Sequence, residues 1–481
     1  MTIPTGGPHH ALLRLGLAWF RIRARWQTLS KRNRRFLTGA LVGIAIDLAL
    51  QGFQGSKALG SLEDLSIDWM IRMHAGTSPA EGRPFLPFTV LDIDNKTYEL
   101  WGEPLVLPRD KLLQLVRFAV ERHASLVVVD IDLSRPTSQD ADQQLVQYLA
   151  TRSTANTGTA KMTPLIFVRS FRTPLVSAQT LTPRPSLLDE ITNRSSDLYF
   201  AAPLFELDTD FLVRRWRLWE PTCGHKSGDI VPSIQLLALG LHDRPSTGSG
   251  PLREVLSTLG DYACRYRIPT VGDPKHASTQ TKVQLGHVRL TIDPDYLERR
   301  ILFTIPWRIM PPGTARPVVT LNGSPVPLIV ELPAHVVVDS PQNVSSDAIS
   351  GRVVLIGGSF ADGRDVYGTP IGPMPGVFII MNAIHSLVQY GELRPPPALP
   401  ALLFGLSMIL ATSALCARLN SFAGTLASGA LIVFILLPAS FWLFRAGVWL
   451  EFAVPIVGVL IDHLCHQLSE LVPFRKAHTH S

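Results

Sequence analysis

The last part of this chain is almost wholly apolar, from residue 399 to residue 466. This stretch is too long for one crossing of a bilayer, since about 20 apolar residues are enough for a helix to span it. Breaks in the pattern divide it into three candidate transmembrane helices, at 398–417, 421–444 and 447–466. A fourth candidate lies at 36–54, ahead of a polar region at 55–397. The sequence therefore predicts a large polar domain anchored to a membrane on both sides.

Positive charge is concentrated at the start of the chain. The first 35 residues contain eight lysines and arginines and no acidic residue, whereas the whole chain has a formal net charge of +6. Basic segments beside a membrane span stay on the cytoplasmic side and interact with anionic lipid headgroups. We therefore expect residues 1–35 to form a basic cytoplasmic arm whose partner is the lipid bilayer. Because the other residues are slightly acidic in sum, nucleic acid is not expected as a partner.

This arm also orients the chain. With residues 1–35 inside, the segment 36–54 crosses outward, and three further crossings return the tail, 467–481, to the cytoplasm. Arg418 then falls on the inner side, and Arg445 is the exception on the outer side. The expected location is the bacterial cell inner membrane, with several spans, both termini cytoplasmic and the large domain outside. A cleaved signal peptide is the alternative for the first segment, although no clear cleavage site follows it.

The polar region alternates strand and helix patterns. FTVLDID at 88–94 and ASLVVVDIDL at 124–133 are typical of strands, the second of a strand buried on both faces. Between them, DKLLQLVRFAVERHA at 110–124 has helical spacing, so the three segments predict a βαβ unit. GRVVLIGGS at 351–359 predicts a later strand, and MPGVFIIMNAIHSLVQYG at 374–391 predicts a helix that ends at a glycine. These patterns predict an α/β domain.

Several segments taken together resemble a known family. LGSLEDLSIDWMIRM, the run from FTVLDID to VVVDIDLSRP, and GRVVLIGGSFADGRDVYGTPIGPMPGVFIIMNAIHSLVQYGELRPPP follow the order of the second CHASE family, the extracellular sensory domains associated with cyclases and histidine kinases. DTDFLVRRWRL and VPSIQLLAL are similar to that family's middle section. The resemblance covers roughly 58–397 and the spans behind it. It implies an α/β extracytoplasmic sensor domain plus an α-helical transmembrane bundle with one N-terminal and three C-terminal helices.

The chain departs from the family pattern in two ways. A glutamate and a histidine usually follow the Pro-Gly-Val of the closing segment, and here Phe378 and Ile380 occupy those positions while Asn382 remains. Family members commonly carry a cytoplasmic kinase or cyclase domain after the last span, and we expect none here. The resemblance therefore implies a receptor that is not an enzyme and that depends on a separate cytoplasmic or membrane effector. It also implies a homodimer.

Acidic residues end two of the predicted strands. Asp92 and Asp94 end the first, and Asp130 and Asp132 end the second. If the two strands are neighbours in a parallel sheet, these carboxylates meet at the edge where α/β domains bind ligands, where they could hold a cation or an amine. The alternative is that some of them cap helices or pair with arginines such as Arg109. The sequence leaves both interpretations open.

Four more residues complete the candidate ligand-binding set. Arg109 precedes a helix and is either an anion contact or part of an ion pair within the domain. Arg364 and Asp365 lie in the loop GGSFADGRDVYGTP, which lacks the glycine patterns of nucleotide-binding loops and either pins itself or lines a pocket. Asn382 is the polar position that the closing segment keeps.

The sequence lacks the common signatures of hydrolytic catalysis, and any cofactor is unknown. G-x-S-x-G and H-E-x-x-H are both missing. Cys223 and Cys264, in the exported region, lack metal-site spacing and form either a disulfide or two free thiols. Asp47 in the first span is costly to leave unpaired, so we expect it to meet a polar partner on another helix.

These patterns favour a membrane-anchored sensory receptor that binds an unknown signal and relays it through its transmembrane helices to a separate protein. A membrane-complex scaffold or transport subunit is one alternative. A membrane-anchored exported hydrolase is another, which a substrate turnover screen would distinguish from a receptor.

Overall fold

A computed structural model of the chain describes its structure over residues 28–52, 57–79, 84–154, 162–172, 181–222, 230–242, 250–266, 282–291, 299–307, 317–321, 324–419 and 421–450. The chain divides into two units. A helical unit comprises Met1–Ile67, Pro395–Phe444 and Val448–Ser481, and an α/β unit comprises Asp68–Arg394 together with Arg445–Gly447.

The described helices are α1 (Lys31–Gly52), α2 (Lys57–His74), α3 (Asn95–Leu100), α4 (Arg109–Glu121), α5 (Gln139–Thr154), α6 (Asp189–Thr192), α7 (Ile234–His242), α8 (Gly250–Tyr266), α9 (Ala334–Asp339), α10 (Gly376–Tyr390), α11 (Ala398–Arg418), α12 (Ser421–Leu431) and α13 (Leu437–Phe444). Short 3₁₀ turns occupy Pro341–Asn343, Ser346–Ala348 and Ala361–Gly363, and a π-helical turn at Ile432–Leu436 joins α12 to α13.

The described strands are β1 (Phe88–Ile93), β2 (Leu126–Val129), β3 (Leu165–Val168), β4 (Phe171–Arg172), β5 (Thr182–Pro183), β6 (Leu198–Ala201), β7 (Phe205–Leu207), β8 (Val213–Trp216), β9 (Trp219–Pro221), β10 (Ile230–Pro232), β11 (Lys282–Leu285), β12 (Val288–Thr291), β13 (Val318–Leu321), β14 (Ser324–Pro327), β15 (Ile329–Pro333), β16 (Val353–Gly358), β17 (Val366–Thr369) and β18 (Gly372–Pro375).

A six-stranded parallel sheet organises the α/β unit, in the order β15-β1-β16-β2-β3-β6. Its central strands are mostly apolar because helices cover both faces, and Thr89 and Asp92 are the polar residues of β1. Leu91, Val129 and Ile356 belong to the core that α4, α5 and α9 complete on one face. Helices α7 and α10 contact the sheet strands as well. Since successive side chains of a strand point to opposite faces, Asp92 projects away from the core of α4 and α5.

The predicted βαβ unit is confirmed, with one difference in length. The strand expected at 124–133 ends at Val129. Asp130 still donates its backbone N–H to the carbonyl of Ile356, at 2.8 Å. The chain then turns, because the carboxylate of Asp132 accepts hydrogen bonds from the backbone N–H and the hydroxyl of Ser134, at 2.8 and 2.9 Å. Local side-chain to backbone bonds of this kind compete with a sheet ladder, which explains the early end.

In the helical unit, α1 packs along α11 through two glycines spaced four residues apart. A Cβ atom at Gly43 would lie 2.8 Å from a methyl of Ile409, and one at Gly39 would lie 3.4 Å from the hydroxyl of Ser413. Small residues at this spacing let two helix backbones approach closely in a bilayer. The sequence analysis did not single out this pair.

Among the described residues, two helices are long and apolar enough to cross a membrane, Ala398–Arg418 and Phe422–Phe444. They match two of the four predicted spans. Helix α1 forms over the first predicted span, at 36–54, but is not one of those two. Most of the last predicted span, the basic arm up to residue 27, the tail and Cys223 lie outside the described residues. The four-helix bundle and the disulfide therefore stay predictions.

Candidate ligand-binding site

The carboxyl ends of three central strands meet at one edge of the sheet. Asp92 is level with Gly357, and Asp130 follows the strand residue that is level with Ile356, so both aspartates flank Gly357 on the same face. With neighbouring strands about 4.8 Å apart, their Cα atoms are roughly 10 Å from each other. Asp365 comes from the loop after β16, and we call Asp92, Asp130 and Asp365 the acidic edge.

The first turn of α10 lies over this edge because two glycines leave room for it. A Cβ atom at Gly357 would lie 2.8 Å from the Cβ of Val377 and 3.3 Å from that of Asp130. A Cβ atom at Gly376 would collide with the carboxylate of Asp365, whose backbone carbonyl accepts the Gly376 N–H at 2.9 Å. The start of α10 is therefore packed directly among acidic side chains, where the partial positive charge of a helix N-terminus favours anions.

Asp92 is almost completely buried, with 4% of its surface exposed. Its Oδ2 accepts a hydrogen bond from the hydroxyl of Ser359, at 2.6 Å, while its Oδ1 has no hydrogen-bond partner among the described residues. Burial raises the pKa of Asp92 to about 7, and the charges of Glu331 and Asp94 add to the rise, while the Ser359 bond opposes it. This carboxyl is thus near half-protonated at neutral pH.

Asp130 and Asp365 form the second half of the edge. Burial raises the pKa of Asp130 to about 7, and the nearby charge of Asp365 adds to it. Burial also raises the pKa of Asp365, against the hydrogen bonds from Tyr367 and from the Gly376 N–H. Like charges that share a site cannot all ionise cheaply, so a proton or a cation is favoured at this position.

The other predicted acidic residues serve local structure. Asp94 is the N-cap of α3, and its carboxylate accepts the backbone N–H of Thr97 at 2.8 Å. Asp132 is exposed and accepts from Ser134 and from the hydroxyl of Ser170, at 3.2 Å. Asp94 therefore corresponds to the helix-capping alternative that the sequence left open, and Asp132 stabilises the turn after β2. A contact of either with a ligand stays a prediction.

Arg109 is fully buried, and the structure does not bring it to the acidic edge. Its guanidinium donates to the carbonyls of Asp132 and Arg135, at 3.3 and 2.9 Å, and its Nε lies 3.5 Å from a carboxylate oxygen of Asp142. These contacts tie the loop after β2 to the starts of α4 and α5. The observed geometry matches the ion pair within the domain.

Neither the described contacts of Asn382 nor the exposed position of Arg364 brings these residues to the acidic edge. Asn382 is buried in α10, where its Oδ1 accepts the N–H groups of Thr304 and Ile305, at 3.2 and 3.0 Å, and its Nδ2 donates to the carbonyl of Ile305 at 2.9 Å. Asn382 therefore holds the 304–305 segment against the helix. Arg364 is exposed and has a left-handed backbone, with φ of 51°.

A second group of buried charges, which was not identified from the sequence, lies in the α/β unit. Arg214 donates to Asp68, Asp208 and Asp210 at 2.7 to 3.1 Å. Arg215 pairs with Asp208, and Arg300 lies 3.7 Å from Asp68. We call these six residues the ion network. The alternation of acidic and basic residues in DTDFLVRRW was the signal that could have indicated it.

Charges in the ion network balance each other. Burial disfavours the Arg214 cation, but the hydrogen bonds with Asp210, Asp68 and Asp208 outweigh it and raise the pKa of Arg214. The arginine therefore stays charged, and each carboxylate has a cationic partner. This arrangement holds the end of α2 to β8, and burial raises the pKa of Asp68 in spite of its hydrogen bonds with Arg214.

Across the part of the chain that the structure describes, no three histidine, cysteine or acidic residues are placed to hold a metal ion.

The fold and the edge define a mixed α/β domain with a parallel sheet, joined to apolar helices and carrying carboxyls with raised pKa values where such sheets bind ligands. A family model, the CHASE2 domain, matches residues 40–417. The chain therefore belongs to the CHASE2 family of sensory domains, as the sequence resemblance predicted. No curated protein and no solved structure matches it at a significant level.

Proposed function

We propose that this CHASE2 protein is a membrane-anchored, non-catalytic receptor. Its α/β unit lies outside the cytoplasm and binds a small organic ammonium ion at the acidic edge. The bound state is relayed through the transmembrane helices to a separate effector protein. The family match supports the sensory role, and the two long apolar helices support the anchoring.

The observation that carries this proposal is the pair Asp92 and Asp130 beside Gly357, whose pKa values burial raises to about 7 and for which the described residues supply no cationic partner. Other charges acting on them, from Glu331, Asp94 and Asp365, are all negative. An ammonium group would supply both positive charge and N–H donors, including a donor for Oδ1 of Asp92. A buried carboxylate gains most from a ligand of this chemistry because burial removes the charge from bulk water.

Relay through the membrane helices is supported by the packing of α1 along α11 at Gly39 and Gly43. Both helices connect to the α/β unit, α1 through α2 and α11 through the prolines 395–397. A change in the shape of the unit can therefore displace one helix against the other. Asp47 on α1 is the residue through which we propose that this displacement is coupled.

Ligand binding is tested on the full chain in lipid nanodiscs. Thermal unfolding is measured with methylamine, ethanolamine, putrescine and spermidine at a pH of about 8, where both aspartates are largely ionised. We expect at least one of these amines to raise the unfolding temperature of the wild type and not that of the Asp92→Asn, Asp130→Asn double variant. Asp140→Asn is the control, because Asp140 is exposed in the first turn of α5, and it should keep the response. No response to any amine in the wild type would reject the ammonium ligand.

The relay is tested in cells by crosslinking, purification and mass spectrometry. We expect the wild type to capture a specific effector, and Asp47→Leu to reduce that capture while leaving the amine response of the purified protein intact. Recovery of this chain alone would favour a scaffold over a receptor.

A further inference from the structure

Helix α10 connects the acidic edge to a second feature at its other end. The helix ends at Gly391, and three residues later the backbone N–H of Arg394 donates to the carbonyl of Gly447, at 3.1 Å. Gly447 has a φ of +74°, and a Cβ atom there would lie 2.7 Å from the carbonyl oxygen of Tyr390. The segment Arg445–Gly447, which we call the return loop, is therefore packed against the last residue of α10, and both belong to the α/β unit.

The end of α10 is held firmly by the hairpin of β11 and β12. The buried carboxylate of Glu392 accepts the backbone N–H and the hydroxyl of Thr291, both at 3.0 Å. A ring nitrogen of His287 lies 2.8 Å from the carbonyl of Val388. These contacts join the hairpin to the end of the helix, so a shift of α10 along its axis would act on both the hairpin and the return loop.

Helix α10 is long enough to connect the acidic edge to the return loop. Its 15 residues extend over about 22 Å. One end contacts Gly357 and Asp365 at the acidic edge, and the other contacts the return loop, which follows directly after α13. The loop therefore links the C-terminal apolar helix to the residues predicted as the last span.

We propose that α10 carries the charge state of the acidic edge to the return loop, and that Gly447 is the residue through which the last two membrane spans receive it. This inference rests on the proposed function, because it takes the acidic edge as the place where the signal acts. It adds a second route to the membrane, through the return loop, beside the connection to α11 through the prolines 395–397. The contact needs glycine, since both the positive φ and the approach of Tyr390 exclude an ordinary side chain.

Hydrogen–deuterium exchange on the full chain in nanodiscs tests the route without a ligand. The double variant Asp92→Asn, Asp130→Asn represents the neutral edge, and the wild type at a pH of about 8 represents the ionised one. We expect the two to differ in protection at residues 88–94 and 376–380 and, by about fivefold, at 443–450. Adding Gly447→Ala to both should abolish the difference at 443–450 and keep it at the acidic edge.

Two controls separate the contact from backbone strain. Gly351 has a similar φ of +71° but no atom within 4 Å of an added Cβ, so Gly351→Ala should strain the backbone and leave the coupling unchanged. Gly447→Asn tolerates positive φ better than alanine yet still places a Cβ against Tyr390, so it should uncouple even if Gly447→Ala fails to fold.

The outcomes distinguish the two proposals. A difference at the acidic edge with none at 443–450 in the wild-type background overturns the route and leaves the proposed function standing. Coupling that survives Gly447→Asn also overturns it. No difference at the acidic edge itself rejects that edge as the signal site, and the route falls with it.

Discussion

The α/β unit buries acidic side chains in two places and compensates them differently. In the ion network, Asp68 is 2% exposed and bonds to Arg214, with Arg300 beside it. At the acidic edge, Asp92 is 4% exposed and its strongest partner is a neutral hydroxyl, that of Ser359. The first arrangement satisfies its charges within the chain, as a structural element must. The second leaves a charge to be met from outside, by a proton or a ligand.

The difference follows from where each group lies. The ion network joins α2 to β8, two elements whose relative position has to be maintained. The acidic edge lies where three parallel strands end, at the position where α/β sheets bind ligands. Carboxyls with raised pKa values cluster at functional sites for the same reason, because an uncompensated charge is costly unless it is used.

The largest expected effect comes from breaking the ion network. Arg214→Met leaves Asp68, Asp208 and Asp210 without their shared partner, so we expect the free energy of unfolding to fall by about 3–5 kcal/mol. Chemical denaturation of the full chain in nanodiscs measures it. Arg253→Met is the control, because Arg253 is exposed on α8; its loss should stay below about 1 kcal/mol. Equal losses would contradict the comparison.

The next largest effect comes from neutralising a carboxyl of the acidic edge. Folding raises the pKa of Asp92 and of Asp130 from 3.8 to about 7. The protonated carboxyls therefore make their full contribution to the free energy of unfolding below a pH of about 4. This contribution is lost as the pH rises through about 7. We expect Asp92→Asn to stabilise the protein at a pH of about 8, by up to about 4 kcal/mol, and to change little at a pH of about 4.

Unfolding measured across this pH range, with Asp132→Asn as control, checks that prediction. A wild type and an Asp92→Asn variant with parallel pH profiles would show that the carboxyl is compensated after all.

A smaller effect is expected from filling the space between the two aspartates. Gly357→Ala places a methyl group 2.8 Å from Val377 and 3.3 Å from the Cβ of Asp130, so either α10 or β16 must shift. We expect a loss of about 1–3 kcal/mol, measured by thermal unfolding. Gly60→Ala, in α2 with no atom within 4 Å of the added methyl, should stabilise by about 0.5–1 kcal/mol instead.

The smallest effect distinguishes the helix-capping role of Asp94 from the effect of its charge on Asp92. Asp94→Ala removes the N-cap of α3 and should cost about 1 kcal/mol, whereas Asp94→Asn keeps the cap. Both variants remove a charge that raises the pKa of Asp92. NMR titration of the Asp92 carboxyl should therefore show a lower pKa in both. An unchanged pKa would mean that burial alone sets it.

Much of the fold could be predicted from the sequence because local patterns carry it. The apolar run of β2 and the helical spacing before it identified a βαβ unit, and Gly391 ends α10 as expected. The aspartates at the strand ends were identified because strand ends are visible in a sequence. The ion network was not, since Asp68 and Arg214 are far apart in the chain and only the packing of α2 on β8 brings them together.

The sequence by itself determined the apolar segments, the alternation of strands and helices, and the presence of several carboxylates at strand ends. Only the tertiary structure decided which of those carboxylates are compensated. Arg109 looked like a partner for them, yet it bonds to backbone carbonyls and Asp142, while Asp92 and Asp130 are left beside Gly357. The physical reason is that the cost of a buried charge depends on its neighbours in space, and strand order, not sequence distance, chooses those neighbours.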